Sequence, residues 1–85
     1  RIMIRREVTV GLENGLVYGT ATGFIQCTTG FRSRLWIGQG SREVNAKSLL
    51  GVLSLGIRNG DKVTIAADGP DEAEAIASLE KYLTN

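Results

Sequence analysis

Three stretches of the chain alternate apolar and polar residues with a period of two. Val8 and Val10 share one side of residues 4–10 (IRREVTV). Leu35 and Ile37 share one side of residues 33–38 (SRLWIG), with Arg34 and Trp36 on the other. Val63, Ile65 and Ala67 share one side of residues 62–67. That period predicts strands with one buried face. Gly38-Gln39-Gly40-Ser41 reads as a turn, from which residues 42–46 return as a further strand with Val44 inward, completing a hairpin. Asn14–Gly15 and Asn59–Gly60 mark two more turns.

Three other stretches follow a helical period. Residues 16–31 contain Gly19, Gly23 and four threonines, all poor helix formers. Yet Ala21, Phe24, Thr28 and Phe31 recur at helical spacing with Ile25 beside them, so the pattern predicts a helix, with Gly30 as its left-handed cap. Ser48 opens a short apolar helix, LLGVLSLGI, with Gly56 or Gly60 near its end. Gly69–Pro70 begins the last helix, since proline at the first helical position removes an N–H that has no partner there anyway. Asp71 and Glu72 suit the positive end of the helix dipole and Lys81 the negative end. Ala73, Ile76, Leu79 and Leu83 are its expected buried stripe. The order is β-α-β-β-α-β-α. It predicts an α+β fold in which a four-stranded antiparallel sheet carries three helices on one face and leaves the other open to water.

Composition narrows the chemistry. The chain has 85 residues, enough for one domain, residues 1–85, with a single thin core. It contains no histidine, which removes histidine bases, histidine metal ligands and phosphohistidine from its repertoire. The single cysteine, Cys27, excludes an internal disulfide or a cysteine-rich zinc site and suits a reducing cytoplasm. No metal or cofactor is expected. No apolar run approaches the ~20 residues of a membrane span, and no secretory signal is visible. The net charge of +1 argues against direct nucleic-acid or membrane binding. That charge is unevenly spread: residues 1–60 carry a net +5 and residues 61–85 a net −4.

Residues 44–57, VNAKSLLGVLSLGI, resemble the HPr family, the small phosphocarrier proteins of the bacterial sugar phosphotransferase system, together with their Crh-type regulatory relatives. The likeness extends without a gap over about residues 3–84. Met3 falls at the family's starting methionine, which sets Arg1 and Ile2 ahead of it, and Asn14-Gly15-Leu16 falls at the family's first turn. The resemblance implies an open-faced β-sandwich, in agreement with the element order above. One departure is severe. The family's phosphoacceptor segment reads Gly-Ile/Leu-His-Ala-Arg-Pro, and here the stretch is Gly15-Leu16-Val17-Tyr18-Gly19-Thr20. Val17 occupies the acceptor position, Gly19 the place of the phosphate-pairing arginine, and Thr20 that of the proline. Valine has no nucleophilic atom, so the carrier reaction is not expected and no catalytic residue is assigned.

The resemblance makes Ser48 a site of regulatory phosphorylation by a bifunctional serine kinase/phosphorylase. A phosphate there would meet a helix N-terminus. The plainer role for Ser48 is an N-cap, worth about 1 kcal/mol. By family geometry Lys47, Leu49, Leu50 and Leu53 form an outward docking patch, against the alternative that the leucines are core. Arg34 and Trp36 on the open face are set either to contact a partner or, for Trp36, to lie over neighbouring strand residues. Cys27, with no cation near it in sequence, reads as helix core. Thr20 and Thr22 add little beyond a weak anion-binding helix end.

Two functions are therefore expected. The first is a non-enzymatic regulatory or adaptor protein of carbon catabolite control. Its implied partners are the serine kinase/phosphorylase and, after phosphorylation, a sugar-responsive transcriptional repressor. The second is an HPr-like domain with a replaced function, such as a protein- or nucleic-acid-binding module using the open sheet face at Arg34 and Trp36.

Overall fold

The computed structural model describes residues 3–85; the expectation about Arg1 and Ile2 lies outside the described residues. Seven elements follow the predicted order: β1 (Ile4–Thr9), α1 (Tyr18–Thr28), β2 (Arg34–Gln39), β3 (Arg42–Asn45), α2 (Leu49–Ser54), β4 (Lys62–Asp68) and α3 (Glu72–Leu83). The strands form one antiparallel sheet in the order β1-β4-β2-β3. Val8 pairs with Val63, and Leu35 with Ala67, so the alternating residues of neighbouring strands meet on one face. Val8, Leu35, Ile37, Val63, Ile65 and Ala67 are buried there beneath the helices. From α3, Ile76, Leu79 and Leu83 are fully buried against them. Each such side chain contributes about 1.5–3 kcal/mol of burial.

Helix α1 forms against its own propensities, and α3 explains how. Tyr82 lies across Gly23: a Cβ at Gly23 would sit 2.2 Å from the Tyr82 hydroxyl oxygen. That hydroxyl donates to the Thr20 carbonyl at 2.7 Å, and the ring stands 6.2 Å from the Phe24 ring at 56°. Gly23 is thus the price of close approach between α1 and α3. Burial pushes the Tyr82 phenol up, with the neighbouring Cys27 adding to the effect.

Three expectations about helix ends and faces are corrected. Pro70 is not the first helical residue. Asp71 is the N-cap, with a non-helical backbone at φ −117° and ψ 29°, and α3 starts at Glu72; the Asp71 carboxylate makes no cap bond and accepts instead from another segment. Ala73 is exposed, and Ala75 joins the stripe in its place. At 100° per residue Ala73 lies about 120° around the helix from Leu79, outside the buried arc. Gly30 is not a left-handed cap. Helix α1 ends at Thr29 in right-handed geometry, with Thr28 and Thr29 hydroxyls bonding the carbonyls of Ile25 and Gln26. Gly56, by contrast, does turn left-handed after α2, at φ +61°.

Two glycines of the same helix should respond oppositely to alanine. Nothing lies within 4 Å of a Cβ at Gly19, so Gly19→Ala should stabilise the fold by about 0.5–1 kcal/mol. Gly23→Ala drives a methyl into Tyr82 and should destabilise it by about 1–3 kcal/mol. Urea unfolding of both variants beside the parent checks the pair; stabilisation by both would refute the Tyr82 contact.

Candidate functional site

Ser48 is placed by the turn between β3 and α2. Its backbone N–H donates to the Asn45 carbonyl at 3.0 Å, and the Lys47 N–H donates to the Asn45 side-chain oxygen at 2.8 Å. The Ser48 hydroxyl oxygen accepts from the Gly51 N–H at 3.1 Å, which makes it the N-cap of α2. Lys47 reaches back to donate from its ammonium to the Phe31 carbonyl at 2.9 Å, pinning this turn to the end of the α1–β2 loop. Of the three leucines expected to face outward, only Leu50 does so, at 81% exposure. Leu49 and Leu53 are half-buried and pack on the core. The reason is the length of α2: in six residues, packed over α1 and β3, only one side of the helix can escape contact.

The segment that the resemblance aligns with the phosphoacceptor forms the start of α1. Val17 is its N-cap and is 50% exposed, with Tyr18 exposed beside it. A valine side chain accepts no hydrogen bond, so only the reverse half of a capping box exists. The Val17 N–H donates to the Thr20 hydroxyl oxygen at 2.9 Å, and that hydroxyl donates to the Gly15 carbonyl at 2.6 Å. Gly19 contributes backbone alone. Thr22 bonds the Gly19 carbonyl at 2.7 Å. Cys27 is half-buried on the core, and burial pushes its thiol up, away from the nucleophilic thiolate. Among the described residues no group of three or more His, Cys, Asp or Glu side chains is placed to hold a metal ion. No helix among them is long and apolar enough to cross a membrane.

The face of the sheet away from the helices is roofed in part. Ala66 points to this side and yet is fully buried. Trp36, half-buried, stands directly across from it in the β2–β4 register, and Arg5 flanks it from β1. Arg5 forms an ion pair with Glu43 of β3 at 3.1 Å, so the pair strings across the sheet from one edge strand to the other. Trp36 thus helps to cover Ala66 while part of its own surface stays exposed. Arg34, beside it, is exposed.

One residue essential to this geometry was read from sequence only as a dipole partner. The Asp71 carboxylate accepts from the Arg32 N–H at 2.8 Å, the Ser33 N–H at 3.0 Å and the Ser33 hydroxyl at 2.5 Å. The Ser33 hydroxyl, followed by these backbone N–H groups, lowers its carboxyl from 3.8 to about 2. Nothing in the local sequence signals it, because its partners lie 38 and 39 residues away.

The described residues form a helix-backed antiparallel sheet with a short apolar helix, α2, at one end. The sequence matches the PTS-HPr family (PTS HPr component phosphorylation site) over residues 4–85. It is similar to the HPr-like protein Crh of Bacillus subtilis, with 37% identity over 95% of each chain. It is also similar to the HPr-like protein Crh of Halalkalibacterium halodurans, with 36% identity over 95% of this chain and 96% of that one. The fold is similar to that of phosphocarrier protein HPr from Bacillus anthracis, with a TM-score of 0.95 and 36% identity over 98% of this chain and 99% of that one. The chain belongs to the HPr family, and is of the HPr/Crh type.

Asp71 sets a specific acid response. Its folded pKa is depressed, so its stabilising contribution is complete above 3.8 and is lost as the pH falls towards about 2. Acid unfolding of Asp71→Asn beside the parent should show the gap in stability widest near neutral pH and closing across that interval. A gap unchanged down to pH ~2 would contradict the three-donor contact.

Proposed function

We propose that residues 1–85 act as one cytoplasmic HPr-like domain, a regulatory or adaptor protein that is not an enzyme and carries no phosphohistidine. It signals in carbon catabolite control through phosphorylation of Ser48 and docking of α2. The observation that carries this reading is the pairing of a half-buried N-cap hydroxyl at Ser48 with an exposed leucine two residues on, Leu50. A phosphate at Ser48 would add about −1.5 to −2 charge units beside the apolar patch, for a partner's arginines to pair with. The partners on this reading are the serine kinase/phosphorylase and a catabolite-control transcriptional repressor. Lys47 serves the surface mainly by holding the turn, since its ammonium is bonded to Phe31. Leu49 and Leu53 support Leu50 from below, so the docking area is smaller than three outward leucines would give.

Relatives supply context. The catabolite repression protein Crh of Bacillus subtilis has been solved as a dimer with a swapped domain. An HPr from Thermoanaerobacter tengcongensis has also been solved as a dimer. The second reading, direct nucleic-acid binding by the open face, has less support: among its described strand residues only Trp36 is aromatic, and sheet-based RNA readers stack two or three bases.

Incubation with the serine kinase and ATP, read by intact mass, should add one phosphate to the parent and none to Ser48→Ala; a parent left unmodified would overturn the regulatory reading. With phosphoenolpyruvate and the general first enzyme of the system no acid-labile label should appear, because Val17 offers no acceptor. Leu50→Ala should weaken phospho-dependent partner binding with melting temperature unchanged. Leu53→Ala should lower the melting temperature, because a half-buried leucine leaves a void when truncated.

A further inference from the structure

The start of β2, the loop before it and the β3–α2 turn enclose a shallow depression of about 280 Å³. Arg32, Ser33, Arg34, Leu35, Trp36, Asn45 and Lys47 line it. Three of these side chains are cationic and none is acidic. Asp68 stands opposite Arg34 in the β2–β4 register but does not line the depression. The guanidinium groups of Arg32 and Arg34 have no hydrogen-bond or ion-pair partner among the described residues. The wall that carries them is fixed from two sides: Asp71 holds the Arg32 and Ser33 N–H groups, and Lys47 holds the Phe31 carbonyl. The indole of Trp36 is half-buried, so part of an aromatic surface remains open beside the unpaired cations.

We propose that this depression binds a free nucleoside phosphate, with its base against Trp36 and its phosphates on Arg32 and Arg34. An unpaired guanidinium matches a phosphate through parallel N–H donors, and an aromatic face stacks any base. The volume lies just below the range of small-molecule pockets, which suits one nucleotide rather than a dinucleotide. Two unpaired guanidinium groups, with no carboxylate in the lining, match a diphosphate better than a neutral sugar or a peptide carboxylate. Affinity should fall with ionic strength, as expected for exposed charges. Ser48 does not itself line the depression, although Asn45 and Lys47 of its turn do.

Trp36 is the chain's one tryptophan, so its fluorescence reports occupancy directly. The full chain is titrated with ADP, adenosine, inorganic phosphate and a short single-stranded oligonucleotide. Saturable quenching by ADP, with adenosine and phosphate each at least about tenfold weaker, is the expected result. Arg34→Ala and Arg32→Ala should each weaken ADP about tenfold or more, while Arg58→Ala, outside the depression, leaves it unchanged. Equal binding of phosphate and ADP would reduce the site to a simple anion patch and overturn the proposal. Tighter binding of the oligonucleotide, an Arg34→Ala titration matching the parent, or no saturable response would overturn it too. Because unphosphorylated Ser48→Ala should bind ADP as the parent does, failure here is distinguishable from failure of the regulatory reading.

Discussion

A single carboxylate joins the two halves of this fold. Asp71 takes three donors from Arg32 and Ser33, and through them fixes where β2 begins relative to α3. The adjoining backbone is equally close: a Cβ at Gly69 would lie 2.5 Å from the Cα of Ser33. Strand β4 leaves the sheet at this junction and the chain turns into the helix that covers it. If the junction shifted, the stripe of Ile76, Leu79 and Leu83 would move off Ile65 and Val63, and Tyr82 would no longer lie over Gly23. The desolvation cost of the carboxylate is offset by charge-assisted bonds to groups that would otherwise be unsatisfied in a half-buried turn.

The parts of the fold visible in the sequence are those governed by neighbours in the chain. The pairs Val8/Val10, Leu35/Ile37 and Val63/Ile65 announce strands because the period of two is local. Ser48 announces a cap because its bond partner, Gly51, is three residues on. What was not legible depends on distant residues. Gly23 counts against a helix until Tyr82 is placed over it. Ala73 and Ala75 are equivalent in hydropathy, and only the rotation of α3 on the sheet tells them apart. Asp71 looks like an ordinary first-turn acid, although its carboxylate serves another segment. Leu53 reads as outward by resemblance, whereas its burial is set by how α2 settles over α1 and β3.

The beginning of α1 shows what stands at the position the resemblance aligns with the phosphoacceptor. The Thr20 hydroxyl accepts from the Val17 N–H and donates to the Gly15 carbonyl, so one hydroxyl satisfies two backbone groups of the turn. The turn is well ordered without any side-chain chemistry at Val17. The first helical N–H groups have no intrahelical acceptor, and Val17 and Tyr18 beside them are exposed. The cationic side chains Arg32, Arg34 and Lys47 lie elsewhere, around the depression at the start of β2.

The strand order has a consequence for how the chain is made. Strand β1 precedes the other described elements in the chain and, among them, pairs only with β4, the last of the four strands, with Ile4 opposite Ala67. At about 5–20 residues per second on the ribosome, β1 waits roughly 3–12 s for its partner. Throughout that delay α1, the β2–β3 hairpin and α2 can associate locally, but the sheet has no centre. Closing so long a loop before any reward from pairing slows the final step. Arg5, Arg6 and Glu7 crowd the waiting strand with charge, which discourages it from pairing with another unfinished chain.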